Sequence, residues 1–503
     1  MKKLSVILLL LAANLAAQVN GSIENVSNKK VMFLWGTHDE RGYAHGYLLG
    51  ENLKSLMDSY LIEYICQKNV AAYSMLRQVY TNYFEVDERY QVEAESMVKG
   101  IKESGVSLVN NVIGREYDVN DFLMMTALPE IEQLIFGLVD VQFGCSSISS
   151  WGSVTENDPE LNGSLVITRL MDWSNEESLC DNHLLIVNLP SEENEQPWIS
   201  FGFSGLIGAL SAINEAGVAA FMNQGNIAEH DYTHKFNPVL LSIRDGIESA
   251  DFNGDDICDD QDILNAVQAK VHGGASLIHT VMEKGIDDNP FIIEVNNKLG
   301  IVIRGNNDNT LVKGNNLVAT NHFRKLYQPE DCSRYSRIID SLDRSSEMTS
   351  ARSRNLLGGA AGVTFNLQAI QYVPAKGKVY WATATTESAA FQNEYSEFDI
   401  SSLFTFITDL KSEEPVSDFL LYQNYPNPFN PISNIKYELA NSGLVSLKVY
   451  NTLGEEVAVL VEGIQPAGSY KVKFDGSQLT SGVYIYQLRA GQFTTAKKLT
   501  LIK

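Results

Sequence analysis

The chain has 503 residues, 44% of them hydrophobic and 20% charged, as in an ordinary globular protein with length for two or three domains. Its 62 acidic residues against 38 Lys and Arg leave a net charge of −24, which argues against a nucleic-acid partner because such a surface repels phosphate backbones. Beyond the N-terminal region no run of ~18 apolar residues occurs, so no transmembrane helix is expected.

Met1-Lys2-Lys3, a short apolar run and Asn14-Leu15-Ala16-Ala17 read as a secretory signal peptide over residues 1–17. A prosegment follows over residues 18–144, and its pattern predicts mostly helix from about Ser22 to Gln142, with apolar residues at helical spacing in 50–57 and 122–136. From Cys145 short alternating segments take over, at 147–149, 164–168, 183–187 and 218–222, separated by turn signals such as Asn157-Asp158-Pro159 and Asn162-Gly163. Helical patterns return at 240–249, 263–271 and 335–342, and strands at 291–295, 301–304 and 379–382. Strands mixed with helices in this order predict an α+β fold for residues 145–410. Residues 411–418 are polar and read as a linker, and 419–503 carry six strand patterns at regular spacing, an all-β module.

Five cysteines are present, Cys66, Cys145, Cys180, Cys258 and Cys332. An odd count in an exported chain leaves one thiol over, and export permits disulfides. If Cys145 is the working thiol, the other four form two bridges or none, and the sequence leaves both open.

The chemistry-bearing candidate is Cys145 in Phe143-Gly144-Cys145-Ser146. Alone, a Gly-Cys pair describes a small buried core residue as well as a nucleophile. Were the Gly144–Cys145 bond cut, Cys145 would gain an α-amine of pKa ~7.7–8.0, a base for its own thiol. Its company favours the nucleophile. Arg169 and Asp172 lie at i and i+3 at a strand end, where a guanidinium favours thiolate and a carboxylate holds an amine. Asn223 offers an amide as an oxyanion donor at another strand end. Asn321 follows an apolar strand, and Arg334 opens a helix with Arg337 as its rival.

This ordered set resembles the cysteine N-terminal-nucleophile (Ntn) hydrolases, most nearly the penicillin acyltransferase-like peptidases, with choloylglycine hydrolases and acid ceramidases as wider relatives. The resemblance spans roughly residues 41–385. It implies a four-layer αββα fold, autocatalytic cleavage between Gly144 and Cys145, no catalytic cofactor and a small N-acylated substrate. It implies Cys145 as nucleophile, Arg169 and Asp172 as the Arg-x-x-Asp pair, Asn223 in the oxyanion hole, Asn321 orienting the amine and Arg334 as the family arginine. Arg41-Gly42-Tyr43-Ala44-His45-Gly46 looks like the propeptide motif, which makes His45 a packing or turn residue of the prosegment and not a catalytic base. Leu170-Met171 departs from relatives that often carry Asn after the Arg, which bears on the pocket more than on the chemistry. Two alternatives stand: a phospholipase B-like ester hydrolase on the same fold, and a catalytically inert secreted surface-binding protein.

Residues 419–503 resemble the type A sorting domain of the type IX secretion system, on Asn424-Tyr425-Pro426-Asn427-Pro428-Phe429-Asn430-Pro431, Ser481-Gly482-Val483-Tyr484 and the closing Lys497-Lys498-Leu499. That resemblance implies a small immunoglobulin-like sandwich, the secretion machinery as partner, and a secreted or cell-surface location. Finally, Asp251, Asn253, Asp255, Asp259 and Asp262 fall at positions one, three, five, nine and twelve of an EF-hand-like calcium loop within 251–262. Asp256 stands at position six in place of Gly, and Asp262 at position twelve in place of Glu, so a structural calcium site and an acidic solvated insertion both stay open.

Overall fold

The computed structural model describes residues 19–135, 144–226, 229–283, 289–308, 311–327, 331–360, 363, 365–411, 419–424, 426–466, 468–491 and 493–502. The signal peptide, the end of the prosegment and nearly all of the linker lie outside the described residues. The chain divides into two compact units, one spanning Asn20–Phe406 and the other holding the C-terminal module from Ile407.

Two sheets organise the first unit. The larger has nine strands in the order Gly21–Val26, Lys29–Gly36, His183–Pro190, Trp198–Phe203, Ser211–Asn214, Ala219–Gln224, Ala275–Val281, Phe291–Asn296 and Gly300–Arg304. The smaller has six, Asn316–Ala319, Gly144–Ser150, Val166–Asp172, Gln368–Val373, Lys378–Thr383 and Ser396–Asp399. The α+β class is as expected. All neighbours are antiparallel except Lys29–Gly36 and His183–Pro190, which run parallel.

That parallel pair corrects the expectation of helix from about Ser22. The first two strands form a hairpin whose tip, Ser27 and Asn28, takes φ of 50° and 62°, the conformation of a two-residue type I′ turn. Val31, Met32, Phe33 and Leu34 are all buried, as a strand inside a sheet requires. Helix begins only at His38, where Thr37 and Glu40 form a capping box. Gly42 and Gly46 lie four apart on helix His38–Leu56, and a Cβ on either would overlap the Glu93 or Met97 carbonyl. The glycines of the propeptide motif thus let this helix meet helix Glu88–Glu103 backbone to backbone.

A buried ionic network ties residues 20–135 to the rest of the unit. Arg244 donates to Glu93 at 2.7 and 2.9 Å and to Glu248 at 2.9 Å, and Arg41 donates to Glu195 at 2.8 Å. His38 sits between Glu93, at 2.6 Å, and Glu195, at 2.9 Å. Burial lowers the His38 pKa, but these two carboxylates outweigh it and push it up to about 9.

In the second unit, strands Leu420–Leu421, Ile432–Leu439 and Gly468–Asp475 form one antiparallel sheet. Strands Glu456–Gln465, Gly443–Tyr450, Gly482–Ala490 and Phe493–Leu501 form another. One core, including Ile435, Tyr437, Val445, Leu447, Tyr486 and Leu499, serves both.

Candidate active site

The two sheets of the first unit face each other across polar side chains. Side chains alternate along strand Gly144–Ser150, so Cys145, Ser147 and Ser149 share the face toward the larger sheet. Across the gap, His279 bonds the Ser147 and Ser149 hydroxyls at 2.9 and 2.8 Å, and burial pushes its pKa down to about 3, leaving it a neutral bridge.

Cys145 is 4% exposed. Its sulfur lies 3.4 Å from Nη2 of the buried Arg169, which also donates to the Met222 carbonyl at 2.8 Å. The two residues sit on neighbouring strands, Arg169 directly opposite Ser147. Burial raises the thiol pKa, Arg169 pulls it down and Asp172 pushes it up; the backbone N–H of Gln224 also favours the thiolate.

The amide side of Cys145 is equally built. Its N–H donates to Asn321 Oδ1 at 3.0 Å, and Asn321 Nδ2 donates to the Gln224 carbonyl at 2.7 Å. Arg334, in the first turn of helix Ser333–Arg344, donates to the Cys145 carbonyl at 3.0 Å, to Asp172 Oδ2 at 2.5 Å and to Asn321 Oδ1. The rival Arg337 is one turn on and exposed. Gly144 is paired with Asp172, and a Cβ on Gly144 would lie 3.0 Å from Asp172 Oδ2, so a side chain there would crowd that carboxylate. Burial pushes the Asp172 pKa up to about 6 against the pull of Arg334 and Arg169.

Five of the six candidate residues are therefore linked by direct contacts. Asn223 stands apart. Its Nδ2 donates to Ser147 Oγ at 3.1 Å, which sets it one pleat, about 7 Å, along the strand from Cys145. His45 accepts the Gly205 N–H at 2.9 Å, the packing part expected of it.

Sequence reasoning missed Gln224, whose N–H faces the sulfur, and Cys332. Cys332 precedes the Arg334 helix; burial raises its pKa, but His322, the Tyr335 N–H and Thr320 together bring it down to about 6. All five cysteines are free thiols, so no bridge forms. Also unforeseen is an apolar cavity whose walls include Leu53, Tyr60, Phe122, Pro129, Trp173 and Leu210. It adjoins the site: the Pro129 carbonyl accepts Gln224 Nε2 at 2.9 Å, the Leu210 carbonyl accepts the Met222 N–H at 3.0 Å, and Trp173 follows Asp172. No single sequence signal marks it, because its walls come from segments up to about 190 residues apart.

In the 251–262 loop, Gly254 and Asp256 take φ of 79° and 64°. Asp251 accepts the N–H groups of Gly254, Asp255 and Asp256, while Asp259 and Asp262 form the capping box of helix Asp260–Gln268. The oxygen donors suit calcium in kind, but among the described residues no three carboxylates of the loop converge to metal-ligand spacing.

Residues 423–503 match the family model of the secretion system C-terminal sorting domain. The chain is therefore a secreted or cell-surface protein, and among its described residues no helix is long and apolar enough to cross a membrane. Over 261 residues it is 23% identical to protein dcd1B of Dictyostelium discoideum, an alignment covering 46% of each chain, so the chain spans about half the length of that curated relative. A Caenorhabditis elegans ortholog of N-acylethanolamine-hydrolyzing acid amidase aligns with 46% of this chain and 93% of its own, at 17% identity and a TM-score of 0.35. A mutant conjugated bile acid hydrolase from Clostridium perfringens aligns with 51% of this chain and 94% of its own, at 12% identity and a TM-score of 0.30.

Proposed function

We propose that residues 20–406 form a secreted cysteine amide hydrolase or acyltransferase of the Ntn kind, activated by cleavage between Gly144 and Cys145. The observation that carries this reading is the set of direct contacts joining Cys145 to Arg169, Asn321 and Arg334, and Arg334 to Asp172. In the uncut chain the Cys145 sulfur attacks the Gly144 carbonyl carbon. The C–N bond breaks as a thioester forms, and the freed amine takes a proton. Water then hydrolyses the thioester, leaving Cys145 as a new N-terminus. Asp172, opposite Gly144 and held by Arg334, flanks the scissile bond.

The same machinery then serves a substrate amide. The α-amine stays within reach of Asn321, accepts the thiol proton and passes it to the leaving amine. Arg169 favours the thiolate. The Gln224 N–H, which faces the sulfur, stabilises the oxyanion. Water or a second amine takes the acyl group from sulfur. The apolar cavity beside the site suits a hydrocarbon acyl group. No cofactor enters this chemistry.

Two facing sheets, with helix Val239–Glu248 packed against the larger and helix Ser350–Asn355 against the smaller, support the four-layer arrangement. The shared core of the two small sheets supports an immunoglobulin-like sandwich for the tail. The prosegment is retained after cleavage, because it contributes two strands and half of a buried ionic network.

Intact mass spectrometry of the exported protein tests the reading. A fragment beginning at Cys145, absent from Cys145→Ala and present in Cys332→Ser, is the expected result. Cleavage that persists in Cys145→Ala overturns it.

A further inference from the structure

Helix Leu128–Leu134 lends Leu128 and Pro129 to the cavity wall. Glu132 follows them by four and three positions, on the same side of the helix. It is 8% exposed, and neither of its carboxylate oxygens has a hydrogen-bond partner. Glu130, two residues earlier and as buried, shows what a structural carboxylate looks like here: it accepts the N–H groups of Val239 and Gly273 at 2.7 and 2.8 Å. An unpartnered buried carboxyl costs the fold free energy, and such groups concentrate at functional sites.

Its surroundings say what it awaits. Burial raises the pKa of Tyr60, in the cavity wall, and Glu132 and, more weakly, Glu176 lie near enough to raise it further when ionised. The Tyr60 hydroxyl accepts the Trp173 indole N–H at 2.5 Å, and Trp173 is the residue after Asp172. The cavity wall therefore runs from Trp173, next to Asp172, to Tyr60, with the Glu132 carboxyl beside it. Burial holds the Glu132 carboxyl protonated, its pKa pushed up to about 9. A neutral acid is tolerated beside apolar walls, whereas an arriving ammonium group would ionise it and form a buried pair. The net charge of −24 draws cationic amines toward the protein.

We propose that Glu132 is a specificity residue that binds a protonated amino group on the substrate, so that the preferred substrates are monoacylated diamines: the acyl chain in the cavity, the amide at Cys145 and the free ammonium beside Glu132 and Tyr60. This rests on the acyl-transfer reading of Cys145, and two measurements separate the two claims.

The first uses no catalysis. Dodecylamine is titrated into the mature protein at pH 7 in two buffers of different ionisation enthalpy. About one proton is released per amine bound, and Glu132→Gln, which mimics the neutral acid and keeps its shape, binds without proton release and about tenfold more weakly. The second compares the dodecanoyl monoamide of diaminobutane with dodecanoyl butylamide. A kcat/KM ratio of about ten, carried in KM, is expected, falling to about one in Glu132→Gln. Amine binding without proton release, or a preference that survives Glu132→Gln, overturns the proposal. Proton-linked binding with neither amide hydrolysed upholds Glu132 and sinks the acyl-transfer reading. Equal hydrolysis of both amides does the reverse.

Discussion

In the C-terminal module, strand Ile432–Leu439 buries every second residue from Ser433 on, and those between meet solvent. In the first unit, strand Gly144–Ser150 is buried at every position from Cys145 on. The same pleat therefore carries opposite meanings for a polar side chain. In the tail, a polar residue at an alternate position is simply the wet face. Between the two facing sheets it has no water, so Ser147, Ser149, Arg169, Asn223 and His279 must bond one another or the backbone. The cost of that polar interior is met by packing elsewhere, and what it yields is a thiol held in a fixed electrostatic frame.

The comparison can be strained hardest at its charges. Arg244→Met leaves Glu93 and Glu248 buried without their partner, and a loss of about 3–5 kcal/mol is expected by chemical denaturation. Removing the partly exposed tail partner Lys448 from its pairs with Glu456 and Glu462 should leave the midpoint where it was. If both substitutions cost the same, burial is not what separates the two regions.

Next in size is Arg334→Ala. It deletes contacts to the Cys145 carbonyl, Asp172 and Asn321 together, and a fall of about 100-fold or more in kcat/KM on an N-acyl amide is expected, with an unchanged far-ultraviolet spectrum. Arg337→Ala, one turn on, is the control and should lose little.

A smaller effect comes from pH. Asp172 has a folded pKa raised to about 6, so the stability it contributes is present below its unfolded value and lost as pH rises through about 6. Its pair with Arg334 needs the carboxylate. Activity should therefore fall on the acid side of about 6, while Asp172→Asn stabilises the protein at pH 8 relative to pH 3 and removes that acid limb. A pH–rate profile and melting temperatures at the two pH values check both halves. The smallest effect is expected from a chelator: the carboxylates of the 251–262 loop do not converge, so the melting temperature should stay where it is, and a clear drop would restore a calcium site there.

Strands in the tail are legible in the sequence because one face is wet and period two shows through. Helices such as Ser333–Arg344 are legible for the matching reason. The central strands are buried on both faces, so their register, and with it the pairing of Gly144 with Asp172, does not show in any local pattern. Cys145, Asp172, Asn321 and Arg334 each sit where an element begins or ends, a position that the local pattern does show. Asn223 was placed at the right strand end but one pleat from the sulfur. Gln224 acts through its backbone, and Tyr60 and Glu132 act through a cavity assembled from distant segments, so nothing near them in the chain announced their part.

The hairpin at 21–36 has a last consequence. Its second strand lies inside the nine-stranded sheet, between the first strand and His183–Pro190. A polypeptide nicked before Cys145 folds once, as one molecule, and after denaturation must reassemble as two. Refolding becomes a second-order encounter that dilution slows, and each rescue competes with aggregation of the bared sheet edge. The mature protein would behave as a device wound at synthesis and not rewound, its lifetime outside the cell set by how slowly the two pieces part.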